Sequence, residues 1–182
     1  MPLLVLLAAL ATAKDDAPRP HVVSLGASTF SYTGFFRASA RQYALDLRYQ
    51  HRLNALNAAR PLSVGDGLRR TGRDDPGWPL ELYAAANLQG ELGYWAPAAG
   101  FELGYSGYTA LTSNRPYRPG DFFQQEQETV SPVYVGFNAA PLRFRVSRVL
   151  LSALEVQLGT TVLPLGAAYR IQLGLLHVGV TL

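Results

Sequence analysis

The sequence predicts an all-β protein, an antiparallel up-and-down transmembrane β-barrel of eight strands. Three observations carry that prediction. The first is a two-residue period: LELYAAANLQGELGYW sets Leu80, Leu82, Ala84, Ala86, Leu88, Gly90, Leu92 and Tyr94 against Glu81, Tyr83, Ala85, Asn87, Gln89, Glu91, Gly93 and Trp95. On a helix of about 100° per residue, positions two apart spread around the whole circumference, whereas on a strand they share one face. The second is length: the pattern holds from Leu80 to Trp95, beyond the roughly 5 to 6 residues of an ordinary strand and beyond the 9 to 11 that cross a bilayer at a tilt. The third is the make-up of the polar faces, which offer Gly, Ser, Ala, Asn, Gln and a few charges of both signs. A soluble barrel would place Lys and Glu on its outer face, but this composition suits a crowded interior surrounded by lipid.

Element by element, the chain opens on MPLLVLLAALATA, an apolar run followed by a small-x-small pattern at Ala11-Thr12-Ala13. Residues 1–13 are read as an export signal, 14–20 as an extension, and 21–182 as the barrel domain. The apolar run is too short for a membrane helix, which needs about 20 residues. Strands are expected to begin near 21, 41, 79, 100, 129, 143 and 167. In QYALDLRYQH, Tyr43, Leu45, Leu47 and Tyr49 oppose Gln42, Ala44, Asp46, Arg48 and Gln50; in FELGYSGYTAL, Phe101, Leu103, Tyr105 and Leu111 oppose Glu102, Gly104, Ser106 and Tyr108. Val133, Val135 and Phe137 alternate with Tyr134, Gly136 and Asn138. Phe144, Val146, Leu150, Leu154, Val156 and Leu158 share one parity against Arg143, Arg145, Ser147, Glu155 and Gln157. Tyr169, Ile171, Leu173 and Leu175 face away from Arg170, Gln172 and Gly174, and the change of parity at Leu175-Leu176 predicts either a bulge or an element boundary there.

Short turns are expected at APAAG (96–100), AAP (139–141) and LPLG (163–166), and long polar loops at about 52–78 and 113–128. That makes seven strands, and barrels of this kind have even numbers. The eighth strand is placed either within 52–78 or at a break in 143–161.

The chemistry of the polar faces is read as structural. Asp46, Arg48, Glu81, Glu91, Glu102, Arg143, Arg145, Glu155 and Arg170 project inward and neutralise one another as an ion-pair network lining any pore, because an unpaired buried charge is costly. Tyr43, Tyr49, Tyr94, Trp95, Phe101, Phe137 and Tyr169 are assigned to aromatic girdles at the membrane interfaces. No catalytic residue, cofactor or metal is expected. His21, His51 and His177 lie outside any metal-ligand spacing, and cysteine is absent. Charged residues make up 16% of the chain and the net charge is +3, with the arginines scattered. No basic helix or aromatic-basic interleaving points to nucleic acid.

The export signal, the alternating strands, the short turns set against long loops, and the closing series Leu176, Val178, Val180, Leu182 resemble the small bacterial outer-membrane β-barrels of the OmpA and OmpX type. That resemblance implies location in a Gram-negative outer membrane and contact with its lipid and lipopolysaccharide. It also implies delivery by the insertion machinery, which reads a C-terminal aromatic residue where this chain has Leu182. A single copy with a structural, adhesive or minor channel role is the expected function. Two alternatives stand beside it. One is an outer-membrane enzyme modifying lipid A, for which His177 is the candidate; the related deacylases carry a Ser two residues after the His, and this chain has Gly179. The other is a soluble periplasmic, lipocalin-like barrel binding an apolar ligand.

Overall fold

Alternation that buries one face of every strand can be satisfied by a sheet that closes on itself, and that is the arrangement found. A computed structural model describes residues 20–33, 42–53, 62–71, 80–107, 110–111, 128–129, 131–162 and 168–182. They contain β1 (His21–Thr33), β2 (Gln42–Leu53), β3 (Leu62–Thr71), β4 (Leu80–Gln89), β5 (Ala98–Ser106), β6 (Ala110–Leu111), β7 (Glu128–Thr129), β8 (Val133–Ala140), β9 (Arg143–Val146), β10 (Val149–Ser152), β11 (Glu155–Thr161) and β12 (Tyr169–Thr181). Eight of these form the ring β1-β2-β3-β4-β5-β8-β11-β12, and β12 pairs back onto β1. All neighbours in the ring are antiparallel, so no edge is left unpaired. β9 and β10 prolong β8 and β11 beyond the interruptions at Pro141-Leu142 and Ala153-Leu154, with β10 lying along β12. β6 and β7 form a separate short ladder.

The strands fold inside out relative to a soluble barrel. Leu25, Leu45, Leu82, Leu103 and Leu158 are all more than half exposed on the outer wall, while Asp46, Arg69, Glu81, Glu102 and Arg170 are at most 3% exposed inside it. A lipocalin-like carrier would have these two sets exchanged.

Several expected elements are corrected. The region 52–78 is not one long loop: it contains β3, the eighth strand, at the first of the two places expected for it, and β3 pairs with β2 and β4. The run from Leu80 to Trp95 is not one overlong strand, because β4 ends at Gln89 and the chain reverses between the paired residues Leu92 and Trp95. Gly93 stands there at φ 64°, the left-handed backbone that a two-residue hairpin turn asks of its first position. The turn therefore falls before 96–100, where β5 already begins. Likewise 139–141 is an interruption within a continuing strand, and the run from Arg143 to Thr161 is broken by a turn between Val146 and Val149, with Ser147 at φ 54°. That turn moves Leu150 to the inner wall, where it is buried, rather than to the outer wall with Phe144 and Val146.

The bulge predicted at Leu175-Leu176 is present. Ala27 faces Leu176 and Ser28 faces Gly174, leaving Leu175 as the extra residue. Both leucines point outward, and every residue after them changes face relative to the first half of β12. The predicted export signal, most of the extension, the turn at 163–166 and nearly all of 113–128 lie outside the described residues.

Candidate functional site in the barrel interior

The interior charges are drawn from six strands and meet around two guanidinium groups. Arg69 of β3 stands at the centre. Its Nη1 and Nη2 donate to Glu102 Oε1 and Oε2 at 2.6 and 2.9 Å, a bidentate pair, and its Nε donates to Asp46 Oδ2 at 3.2 Å. Planar guanidinium and planar carboxylate match in this geometry, which makes such pairs among the stronger charge-assisted bonds. Arg170 of β12 donates to Glu81 Oε2 at 2.6 Å and also to Gln157 Oε1. Arg48 of β2 lies toward the end where the two termini emerge, between Asp46 Oδ2 at 3.2 Å and Glu155 Oε2 at 3.0 Å.

Phenols and glycines complete the assembly. The Tyr83 hydroxyl donates to Asp46 Oδ1 at 2.6 Å, and the Tyr134 hydroxyl donates to Glu102 Oε1 at 2.8 Å. Arg69 lies 3.7 Å above the Tyr83 ring, and Arg170 4.2 Å above the Tyr134 ring. Both rings rest on neighbouring strands where the facing residue has no side chain. A Cβ on Gly67 would lie 2.2 Å from the Tyr83 ring, and one on Gly104 would lie 2.3 Å from the Tyr134 ring. Only glycine leaves room for these rings to lie flat against the wall.

His177 joins the same cluster through the bulge. After the extra residue, odd-numbered positions of β12 face inward, and the His177 ring occupies the space over Gly26 and Gly174. Its Nε2 is 3.2 Å from Asp46 Oδ2, and its Nδ1 is 3.6 Å from Glu155 Oε2. Gly179 follows on the same face, and buried Ser152 of β10 is the cross-strand partner of His177. His21 and His51 are cross-strand partners near the chain termini, with Nδ1 atoms 3.4 Å apart, and His21 also meets the Tyr49 hydroxyl at 2.6 Å. Among the described residues, no three histidine, aspartate or glutamate side chains gather closely enough to hold a metal ion.

Of the nine charged residues expected inside, Asp46, Arg48, Glu81, Glu102, Glu155 and Arg170 form this connected network. Arg143 is also buried but donates to Gln50 Oε1 at 3.0 Å instead of to a carboxylate. Glu91 and Arg145 do not belong to the central cluster. The turn at Gly93 carries Glu91 to the barrel end, where its Oε1 accepts from Arg52 at 2.5 Å and from Arg145 at 2.8 Å. Sequence reasoning missed Arg69, because it was assigned to a loop. The seven aromatics expected at the interfaces are all exposed on the outside. Phe101 and Phe137, however, face each other near the middle of their strands, edge to face at 5.8 Å between ring centres.

The arrangement leaves little room. An interior cavity beside Arg48, Gln50, Asn87 and Arg143 measures about 30 Å³, room for ordered water but for no larger ligand. Among the described residues the interior holds four carboxylates and four guanidiniums, and their pairs fasten strands that are distant in sequence.

No protein-family model matches the chain, and no curated protein matches its sequence. Among solved structures, the Neisserial surface protein A (NspA) is similar with a TM-score of 0.56 at 10% identity, over 89% of this chain and 97% of that one. Ail, the attachment invasion locus protein of Yersinia pestis, gives a TM-score of 0.46 at 11% identity, over 90% of this chain and 99% of its own. The likeness to NspA is one of fold.

Proposed function

From a closed eight-stranded antiparallel barrel with the architecture of small outer-membrane proteins, we propose that this chain is an outer-membrane β-barrel with a structural or adhesive role and no catalysis. The observation that carries the proposal is the apolar outer wall, exposed all round the ring, over an interior of paired charges. In hydrocarbon every backbone N–H and C=O must find a partner within the protein, and a ring without edges provides that. The barrel is then a stake that holds the connections between its strands at the membrane surface. Recognition belongs to the segments at the end opposite the termini, which include the longest connection, between β5 and β8.

The plugged interior favours this role over conduction. Eight strands leave an interior just wide enough for side chains, and here ion pairs fill it. The enzyme alternative is disfavoured by the position of His177, which is 3% exposed and points toward Asp46 rather than toward lipid.

Fractionation tests the proposal. The protein should be recovered with outer membranes and show heat-modifiable migration in detergent gels. A fluorophore on Leu45→Cys should be quenched by brominated lipid, and one on Asp46→Cys should not. Recovery as a soluble periplasmic protein would reject the membrane assignment, and steady conductance in planar bilayers would reject the non-conducting one.

A further inference from the structure

Two histidines 30 residues apart in sequence meet on the outside of the barrel. His21 opens β1, His51 lies near the end of β2, and the register sets them opposite each other. Val23 and Tyr49, two residues away on the same strands, face outward, and the pleat puts His21 and His51 on that same wall. The Arg52 amide donates to the Pro20 carbonyl at 2.7 Å. A ladder bond bracketing the two histidines in this way makes them a non-hydrogen-bonded pair, the kind whose side chains approach most closely. Both rings are half-buried, at the barrel end where the termini emerge.

The polar atoms of this cluster do not all satisfy one another. His21 Nδ1 lies 2.6 Å from the Tyr49 hydroxyl and 3.4 Å from His51 Nδ1. An imidazole nitrogen has one position for a hydrogen bond, either a lone pair or an N–H. The short contact to Tyr49 occupies it, and the two Nδ1 atoms are left facing each other at more than ordinary hydrogen-bond length. That spacing fits a metal ion. Tetrahedral Zn²⁺ takes imidazole nitrogen at about 2.0 to 2.1 Å, so two such nitrogens stand about 3.3 to 3.4 Å apart and their ring centres about 5 Å apart. Here the nitrogens are 3.4 Å apart and the ring centres 4.8 Å.

We infer that His21 and His51 form an open zinc site, in which the two Nδ1 atoms bind the ion and water fills the remaining positions. The ion takes the lone pair of His21 Nδ1, which frees the Tyr49 oxygen to accept a hydrogen bond from a metal-bound water. Closed structural zinc sites have four protein ligands; with two, this one holds an exchangeable ion that clips the start of β1 to the end of β2. The site needs only the pairing of those two strands, so it stands or falls separately from the membrane assignment.

Calorimetry of the folded, untagged full chain with Zn²⁺ alone tests the site. One ion should bind per chain. Loss of even an indirect partner of a metal ligand costs about 10- to 100-fold in affinity, so His21→Gln or His51→Gln should weaken binding at least about tenfold. The chain has three histidines and no cysteine, which makes the imidazole ¹⁵N resonances a direct readout. Zn²⁺ should move those of two histidines and leave the third, His177, which is buried in the interior. Excess Zn²⁺ should also raise the urea midpoint of the parent chain and not that of His51→Gln. Heat-modifiable migration establishes that each variant has folded. No uptake of Zn²⁺, an affinity indifferent to either substitution, or a response of His177 alone would each overturn the inference.

Discussion

Replacing Arg69 by Met removes the centre of the interior network while keeping much of its volume, and the structure determines which group suffers most. Asp46 would keep Arg48 at 3.2 Å, the Tyr83 hydroxyl at 2.6 Å and His177 at 3.2 Å. Glu102 would keep only the Tyr134 hydroxyl at 2.8 Å, having lost both bonds of its bidentate pair. A buried charge stripped of its partner costs about 3 to 5 kcal/mol, whereas removing both members of a pair is often close to neutral. Arg69→Met should therefore destabilise the barrel by about 3 to 5 kcal/mol, and adding Glu102→Gln should recover roughly 2 kcal/mol of that loss. The assay is urea unfolding of the protein in phospholipid vesicles, followed by tryptophan fluorescence and by the heat-modifiable gel shift. Two results would refute the reasoning: a loss below about 1 kcal/mol for Arg69→Met, or a further loss when Glu102 is neutralised.

The same unfolding measurement serves four other variants. Gly104→Ala puts a Cβ 2.3 Å from the Tyr134 ring and should cost about 1 to 3 kcal/mol. The comparison variant Gly179→Ala, whose nearest neighbour lies at 3.1 Å, should cost clearly less. Leu103→Arg places a charge on the outer wall and should cost about 2 to 4 kcal/mol in vesicles if that wall meets the bilayer midplane; no loss there would contradict the inside-out assignment. Gly93→Ala meets open space at φ 64°, so its cost isolates backbone strain and should be about 1 to 2 kcal/mol.

The faces of most strands were legible in the sequence because the period of two is local. Tyr43, Leu45 and Leu47 outside, with Gln42, Asp46 and Arg48 inside, need nothing beyond the pleat of one strand. The bulge was legible too, since two adjacent leucines interrupt an otherwise regular alternation. β3 was legible only as one of two places for an eighth strand; its bounds and faces were not, and its residues explain why. In LSVGDGLRRT the outer face carries Asp66 and Arg70 and the inner face carries Gly65 and Gly67, so polarity no longer marks the faces. Hairpin turns were misplaced for a related reason. APAAG has the composition of a turn, but Gly93 supplies the positive φ, and the earlier reversal wins.

By itself, then, the sequence determined that the chain is built of strands, which residues line its interior for most of them, and that the charges inside are of both signs. It did not determine who meets whom. Arg69 finds Glu102 from 33 residues away, and Arg170 finds Glu81 from 89. Those distances reflect the stagger of a closed ring, where each strand's height is set by all the others. Ring closure and the turn at Gly93 together separate Glu91 from the carboxylates it resembles in sequence, and the extra residue Leu175 brings His177 into the centre. Such pairings depend on register summed around the barrel, a quantity that no single strand carries.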